Sequence, residues 1–149
     1  MNALAHIPPA RLVDRSAGFR PTDVTAIGLL INRLGALEKG PRLDADVFLA
    51  MGWEVSPPSQ QRACWRVRSP FSRLWMPLPP VSTTMDGAAI LSVPGWDYGL
   101  GRRGGQGYAV VRDRADHTRF FEATFGEPPQ CLTRCWLHAW RFILLENDR

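Results

Sequence analysis

Between Asp23 and Glu38 the apolar residues Ile27, Leu30, Ile31, Leu34 and Leu37 recur at the spacing of one helical face, while Asn32 and Arg33 fall on the other. Thr22-Asp23 supplies an N-cap and an acid at the positive helix end, and Gly40-Pro41 halts the run, so a helix is predicted over 23–38. A shorter helix is predicted over LDADVFLAMGW (43–53), ended by Gly52. After Pro57-Pro58 the period changes to two. Ala63, Trp65 and Val67 share one face, and Arg62, Cys64, Arg66 and Arg68 the other, as on a half-buried strand. The stretch MPLPPVS (76–82) reads as a connector, and Thr83 or Thr84 caps a third helix running to about Ser92. Two short strands, 96–100 and 107–112, are separated by glycine and arginine; a further strand over roughly 118–125 follows a turn at 113–116. Glu127-Pro128-Pro129 leads into a last helix over 130–146. Its apolar face is Cys131, Leu132, Cys135, Trp136, Ala139, Phe142 and Ile143, flanked by Arg134, His138 and Arg141.

The links between the strands of 96–125 are too short for parallel crossovers, which makes the sheet mainly antiparallel. The expected fold is α+β: a sheet of three or four strands flanked by helices, in an α/β/α three-layer sandwich. Residues 22–149 are expected to form this one domain. Residues 1–21, with Pro8, Pro9 and Pro21 and no periodicity, read as an extended arm.

Composition narrows the class. Of 149 residues, 45% are apolar and 21% charged, which is ordinary for a globular chain. The start, MNALAHIPPARLVDR, lacks a signal-peptide layout. The aliphatic run at 27–31 falls far short of the roughly 20 residues of a membrane span, so no membrane association is expected and a cytoplasmic location is. Three cysteines, Cys64, Cys131 and Cys135, are an odd count that suits reduced thiols. The net charge of +4 comes from seventeen arginines and one lysine against fourteen acids, an arginine skew that a GC-rich genome also produces. All of the excess lies in residues 1–75, with ten basic and six acidic side chains, against eight of each in 76–149. No acid stands between Glu54 and Asp86, where Arg62, Arg66, Arg68 and Arg73 fall, and this patch is able to attract an anionic partner.

Gly99-Leu100-Gly101-Arg102-Arg103-Gly104 spells G-x-G-x-x-G. A dinucleotide fingerprint needs a helix after the third glycine, and here a strand follows. A kinase loop needs a valine after the last glycine and a lysine on a later strand, and no lysine follows Lys39. The stretch is instead expected to be a hairpin tip with Arg102 and Arg103 exposed, and no cofactor is expected. Cys131, Cys135 and His138 stand at i, i+4 and i+7, but without a fourth ligand and with the cysteines central on the apolar face they read as core, so no metal is expected. Neither a cysteine nucleophile with a base nor a working carboxylate pair emerges. Asp44, Asp46, Asp113 and Asp116 read as cap and turn residues, so no catalytic residue is assigned. QQRACWRVRSPFSRLW interleaves arginine with Trp65, Phe71 and Trp75, a mixture that suits phosphate pairing and base stacking. Six tryptophans, with Trp140 off the main stripe of the last helix, are more than one core is expected to hide, and such residues anchor protein interfaces.

Leu-Asp-Ala-Asp followed by Gly52-Trp53, and Thr83-Thr84-Met85-Asp86-Gly87-Ala88 followed by Val93-Pro94-Gly95-Trp96, together with the closing helix after Pro-Pro-Gln-Cys-Leu, resemble the phage ABA sandwich proteins over about residues 43–145. The arm, the tight Val-Pro to Trp spacing and the aromatic last helix depart from that pattern. The resemblance implies the sandwich fold and a phage or prophage origin, and it brings no catalytic residues. The leading expectation is a small accessory protein that binds a host or phage protein non-covalently, inhibition of a host defence or replication factor being one form of this. A basic nucleic-acid-binding protein is the second reading and an enzyme of unidentified chemistry the third. Arg62, Arg66, Arg68, Arg73, Arg102 and Arg103 are the candidate contact residues for a protein or nucleic-acid partner.

Overall fold

The computed structural model describes residues 23–147; the arm expected over 1–21 lies outside them. Helix α1 (Val24–Gly35) starts at Asp23, whose Oδ1 accepts from the amides of Thr25 (3.0 Å) and Ala26 (3.2 Å). It buries Ile27, Leu30, Ile31 and Leu34 of the stripe seen in the sequence, but ends at Gly35, and Leu37, the last residue of that stripe, lies beyond it at φ 66° and is exposed. Helix α2 (Pro41–Ala50) begins two residues before the predicted start, because Pro41 is pre-set for a first helical turn. Arg33 joins the two helices, donating from Nη1 to Asp46 (2.6 Å) and from Nε to both carboxylate oxygens of Glu38 (3.0 Å each). Asp46 is therefore an ion-pair residue rather than a cap.

The strands form two antiparallel sheets instead of one. The first contains β1 (Glu54–Ser56), β2 (Arg66–Arg68) and β3 (Met76–Pro77) in that order. β1 and β3 are too short for a period-two pattern to show, and β3 lies in the stretch taken for a connector. Helix α3 (Met85–Ala89) is capped by Thr84, whose Oγ1 accepts from the Gly87 amide at 3.0 Å. The second sheet is the meander β4 (Trp96–Arg103), β5 (Gln106–Asp113) and β6 (Phe120–Thr124). Gly104 and Gly105, at φ 58° and 82°, supply the two left-handed residues of a type I′ hairpin turn.

Helix α4 (Pro128–Asn147) is the centre of the molecule. It packs on β4, β5 and β6 and also against α1 and α3. Burial on several sides takes in residues off its main stripe, and Trp140 is among them, its Nε1 donating to the Leu91 carbonyl at 2.7 Å. Leu100, Ala109, Val111, Phe121 and Ala123 face α4 from the sheet. On the sheet's other face Asp97, Gly101, Arg103, Gln106, Arg112, Phe120 and Glu122 are all exposed, so no second helical layer covers it among the described residues. The fold is α+β with antiparallel sheets.

Polar contacts fix how α4 sits. Gln130 is buried; its Oε1 accepts from the Glu127 amide (2.9 Å), and its Nε2 donates to the carbonyls of Leu37 and Glu38 (3.1 Å each). The Gly107 amide donates to the Gly126 carbonyl at 2.9 Å, and a Cβ on Gly107 would stand 2.6 Å from that oxygen. β5 thus meets the start of α4 backbone to backbone. Asp44, read as a cap or turn residue, is buried, and its Oδ1 accepts from the Ser82 amide at 2.9 Å. The Ser82 hydroxyl in turn accepts from the Gly40 amide at 2.9 Å. Thr133 Oγ1 donates to the Val81 carbonyl, tying α4 to the same loop.

Gln130→Ala leaves one amide and two carbonyls to find water, and its expected cost is about 1–3 kcal/mol of unfolding free energy, measured by urea titration. Burial pushes the Asp44 carboxyl above its ordinary value. The folded chain then holds that proton to higher pH than the unfolded chain does, so the carboxylate costs stability as pH rises through that interval. Asp44→Asn keeps an acceptor for Ser82 and removes this dependence. The variant's stability relative to wild type is expected to improve from pH 4 to pH 7; a constant difference would refute the account.

Candidate interaction surface

The basic stretch singled out in the sequence becomes the outer side of the β1–β2–β3 sheet and its loops. In β2, Val67 is fully buried while Arg66 and Arg68 are half-buried and face outward, as period two requires. Pro70 ends the strand, and the loop of residues 69–75 is held by two hydroxyls: Ser69 Oγ accepts from the Phe71 amide and Ser72 Oγ from the Leu74 amide, both at 3.1 Å. These short turns leave Phe71 60% and Leu74 78% exposed. The exposure of Leu74 is the feature sequence reasoning missed, since residues 69–75 carry no period to show which way a side chain points.

The six candidate arginines divide by their surroundings. Arg66 Nη2 donates to the Trp75 carbonyl at 3.1 Å. Arg68 pairs with Glu54 at 2.6 Å and lies 4.7 Å from the centre of the Trp75 ring. Arg42 stands 5.8 Å from the Trp65 ring centre. Arg62 and Arg73 are exposed, and neither guanidinium has a partner among the described residues. Arg102 and Arg103 sit at the hairpin tip as expected, but not as free cations. Arg102 pairs with Glu127 at 3.0 Å, and Arg103 lies 3.9 Å from the Tyr108 ring centre. The structure therefore brings Arg62, Arg66, Arg68 and Arg73 to one lobe and places Arg102 and Arg103 on a different sheet.

The tryptophan surplus also resolves differently. Trp136 and Trp140 are buried and Trp53, Trp65, Trp75 and Trp96 half-buried, so no indole stands open as an interface anchor. The exposed apolar groups are smaller: Leu29, Leu49, Phe71, Leu74, Phe120 and Phe125 among them.

Chemistry-bearing residues elsewhere are taken up by packing. Cys131 Sγ donates to the Phe125 carbonyl at 3.1 Å, and Cys135 Sγ lies 3.5 Å from the Ala109 carbonyl. Burial raises both thiols, Cys135 to about 12. His138 stacks on Phe121 with ring centres 5.5 Å apart; burial, then Arg134 and Arg141, lowers its pKa and favours the neutral ring. It lines an open groove between α1 and α4 with Thr25, Asn32 and Arg141, and neither buried thiol reaches that groove. No group of three or more His, Cys, Asp or Glu is placed to hold a metal ion among the described residues, and no helix there is long and apolar enough to cross a membrane.

A thiol-directed alkylating reagent at pH 8 is expected to modify Cys64, which is exposed, and to reach Cys131 and Cys135 only on unfolding; intact-mass spectrometry with and without denaturant counts the adducts. Comparison of the chain with protein-family models, with curated proteins and with solved structures finds no match.

Proposed function

We propose that this protein works by non-covalent binding to a host or phage protein, as a small accessory protein of a phage or prophage. Inhibition of a host defence or replication factor is one form such binding takes. The observation that carries the reading is the lobe of residues 62–74, where Phe71 and Leu74 are exposed, unpaired Arg73 adjoins Leu74, unpaired Arg62 precedes β2, and no acid falls in the span. Exposed apolar groups in an arginine-rich lobe are the composition of a protein interface, and they fit a partner with an apolar recess bordered by carboxylates. The resemblance of the Leu-Asp-Ala-Asp and Thr-Thr-x-Asp-x-Ala stretches to phage ABA sandwich proteins supports the phage origin.

Nucleic-acid binding by the same arginines is the second reading, favoured by the acid-free span from Glu54 to Asp86. It is weaker on one count. Of the stacking platforms it needs, Trp65 and Trp75 are half-buried and already face Arg42 and Arg68 of the same chain, which leaves Phe71 exposed.

Arg73→Glu/Leu74→Glu is expected to weaken retention of a host or phage protein by at least about tenfold relative to wild type, because both changes fall at the exposed centre of the lobe. Immobilised wild type and variant, challenged with the same lysate and compared by quantitative mass spectrometry, give the measurement. Equal retention by both overturns the reading. A gel shift that is salt-sensitive and lost in Arg62→Glu/Arg73→Glu would move the assignment to nucleic acid.

A further inference from the structure

Among the described residues β4 is an edge strand whose only ladder is with β5. The two-residue turn makes Arg103 and Gln106 the closing hydrogen-bonded pair, and the alternation of an antiparallel ladder then directs the amides and carbonyls of Gly101, Gly99 and Asp97 toward β5. Those of Arg102, Leu100 and Tyr98 point away from it. Among the described residues none of these outward backbone groups has a hydrogen-bond partner. The row stops at Trp96, whose amide donates to the Val93 carbonyl at 3.1 Å.

The side chains along this edge complement themselves. Residues directly opposite in an antiparallel pair share a face, so two copies of β4 can meet about a two-fold axis only in registers that keep each face together. The register centred on Leu100 joins all the outward groups. It sets Leu100 beside Leu100 of the second copy, Tyr98 beside its Arg102, Gly99 beside its Gly101 and Asp97 beside its Arg103. Asp97, which Arg114 approaches at 3.5 Å, and Arg103, which lies over the Tyr108 ring, are both exposed on the open face of the sheet and carry opposite charges. On the other face Tyr98, 48% exposed, meets Arg102, whose guanidinium Glu127 already holds at 3.0 Å. The glycines at 99 and 101 place no side chain between the strands. A slip of two residues sets Asp97 opposite Gly101 in one direction and carries it past the strand end in the other. Edge charges ordinarily repel a second strand. Here the acid near one end and the arginines at the other turn that repulsion into attraction for one orientation.

We propose that a second copy of this chain pairs antiparallel with β4 through β4, centred on Leu100, to form a continuous six-stranded sheet of two meanders. About six backbone hydrogen bonds close the new ladder, two for each outward residue. This surface is separate from the lobe of residues 62–74, and the inference stands without the partner-binding reading.

The test is sedimentation of the full chain over a wide concentration range. Wild type is expected to show a monomer–dimer equilibrium. Asp97→Arg and Arg103→Asp each place like charges opposite one another twice per dimer and are expected to weaken association at least about tenfold. The double swap Asp97→Arg/Arg103→Asp restores the opposite pairing and the dimer. Thermal melts followed by circular dichroism confirm that all four proteins fold. Amide exchange supplies a second readout, with protection at Tyr98, Leu100 and Arg102 rising with concentration. A wild type that stays monomeric at millimolar concentration overturns the proposal, as does a dimer unaffected by either single reversal.

Discussion

A single buried amide holds two helices at their ends. Gln130, the third residue of α4, turns its oxygen back onto the Glu127 amide and its nitrogen onto the last carbonyls beyond α1. Helix ends carry backbone groups with no partner inside the helix, and one side chain here serves the start of one helix and the finish of another. Everything else hangs from that junction. α4 carries the second sheet on one side and α1 on another, and α1 carries α2 through Arg33. Phe125 and Leu37, both with positive φ, flank the junction, so the backbone accepts uncommon conformations there to bring the amide into place.

The stretches most suggestive of a motif turn out to be joints. Asp44 of Leu-Asp-Ala-Asp holds the Ser82 amide, and Thr84 of Thr-Thr-Met-Asp caps α3. The first tie joins segments 38 residues apart, and the second is local to the helix start. Such residues are chosen by the need to pair buried backbone groups, which explains an acid inside a core without any reaction to assign it to. The two surfaces proposed for contact, an exposed loop and an open sheet edge, both lie on the periphery.

The long elements were legible because periodicity over many residues is hard to mistake. α1 and α4 appear where their apolar spacing puts them, and the glycine-rich stretch is the hairpin its composition implies. β1 and β3 were hidden by brevity, since two or three residues hold no period. The strand end at Arg103 was hidden because glycine and arginine do not alternate in polarity. The candidate arginines were correctly seen as exposed or half-exposed, yet their partners were invisible. Glu127 lies twenty-five positions from Arg102, and only folding shows that it neutralises that side chain. Trp140 looked surplus because a helical wheel assumes one buried face, and α4 is enclosed on several.

The central helix is also the last of these elements in chain order. During synthesis α1, α3 and the second sheet therefore leave the ribosome before the surface they pack on exists. Their apolar faces wait for α4, and contacts between segments so distant in sequence pay their loop-closure entropy together and late. The meander can form its own ladder meanwhile, but its inner face stays wet until α4 docks. In a chain arranged this way the sheet's apolar face is buried only by a helix made after it.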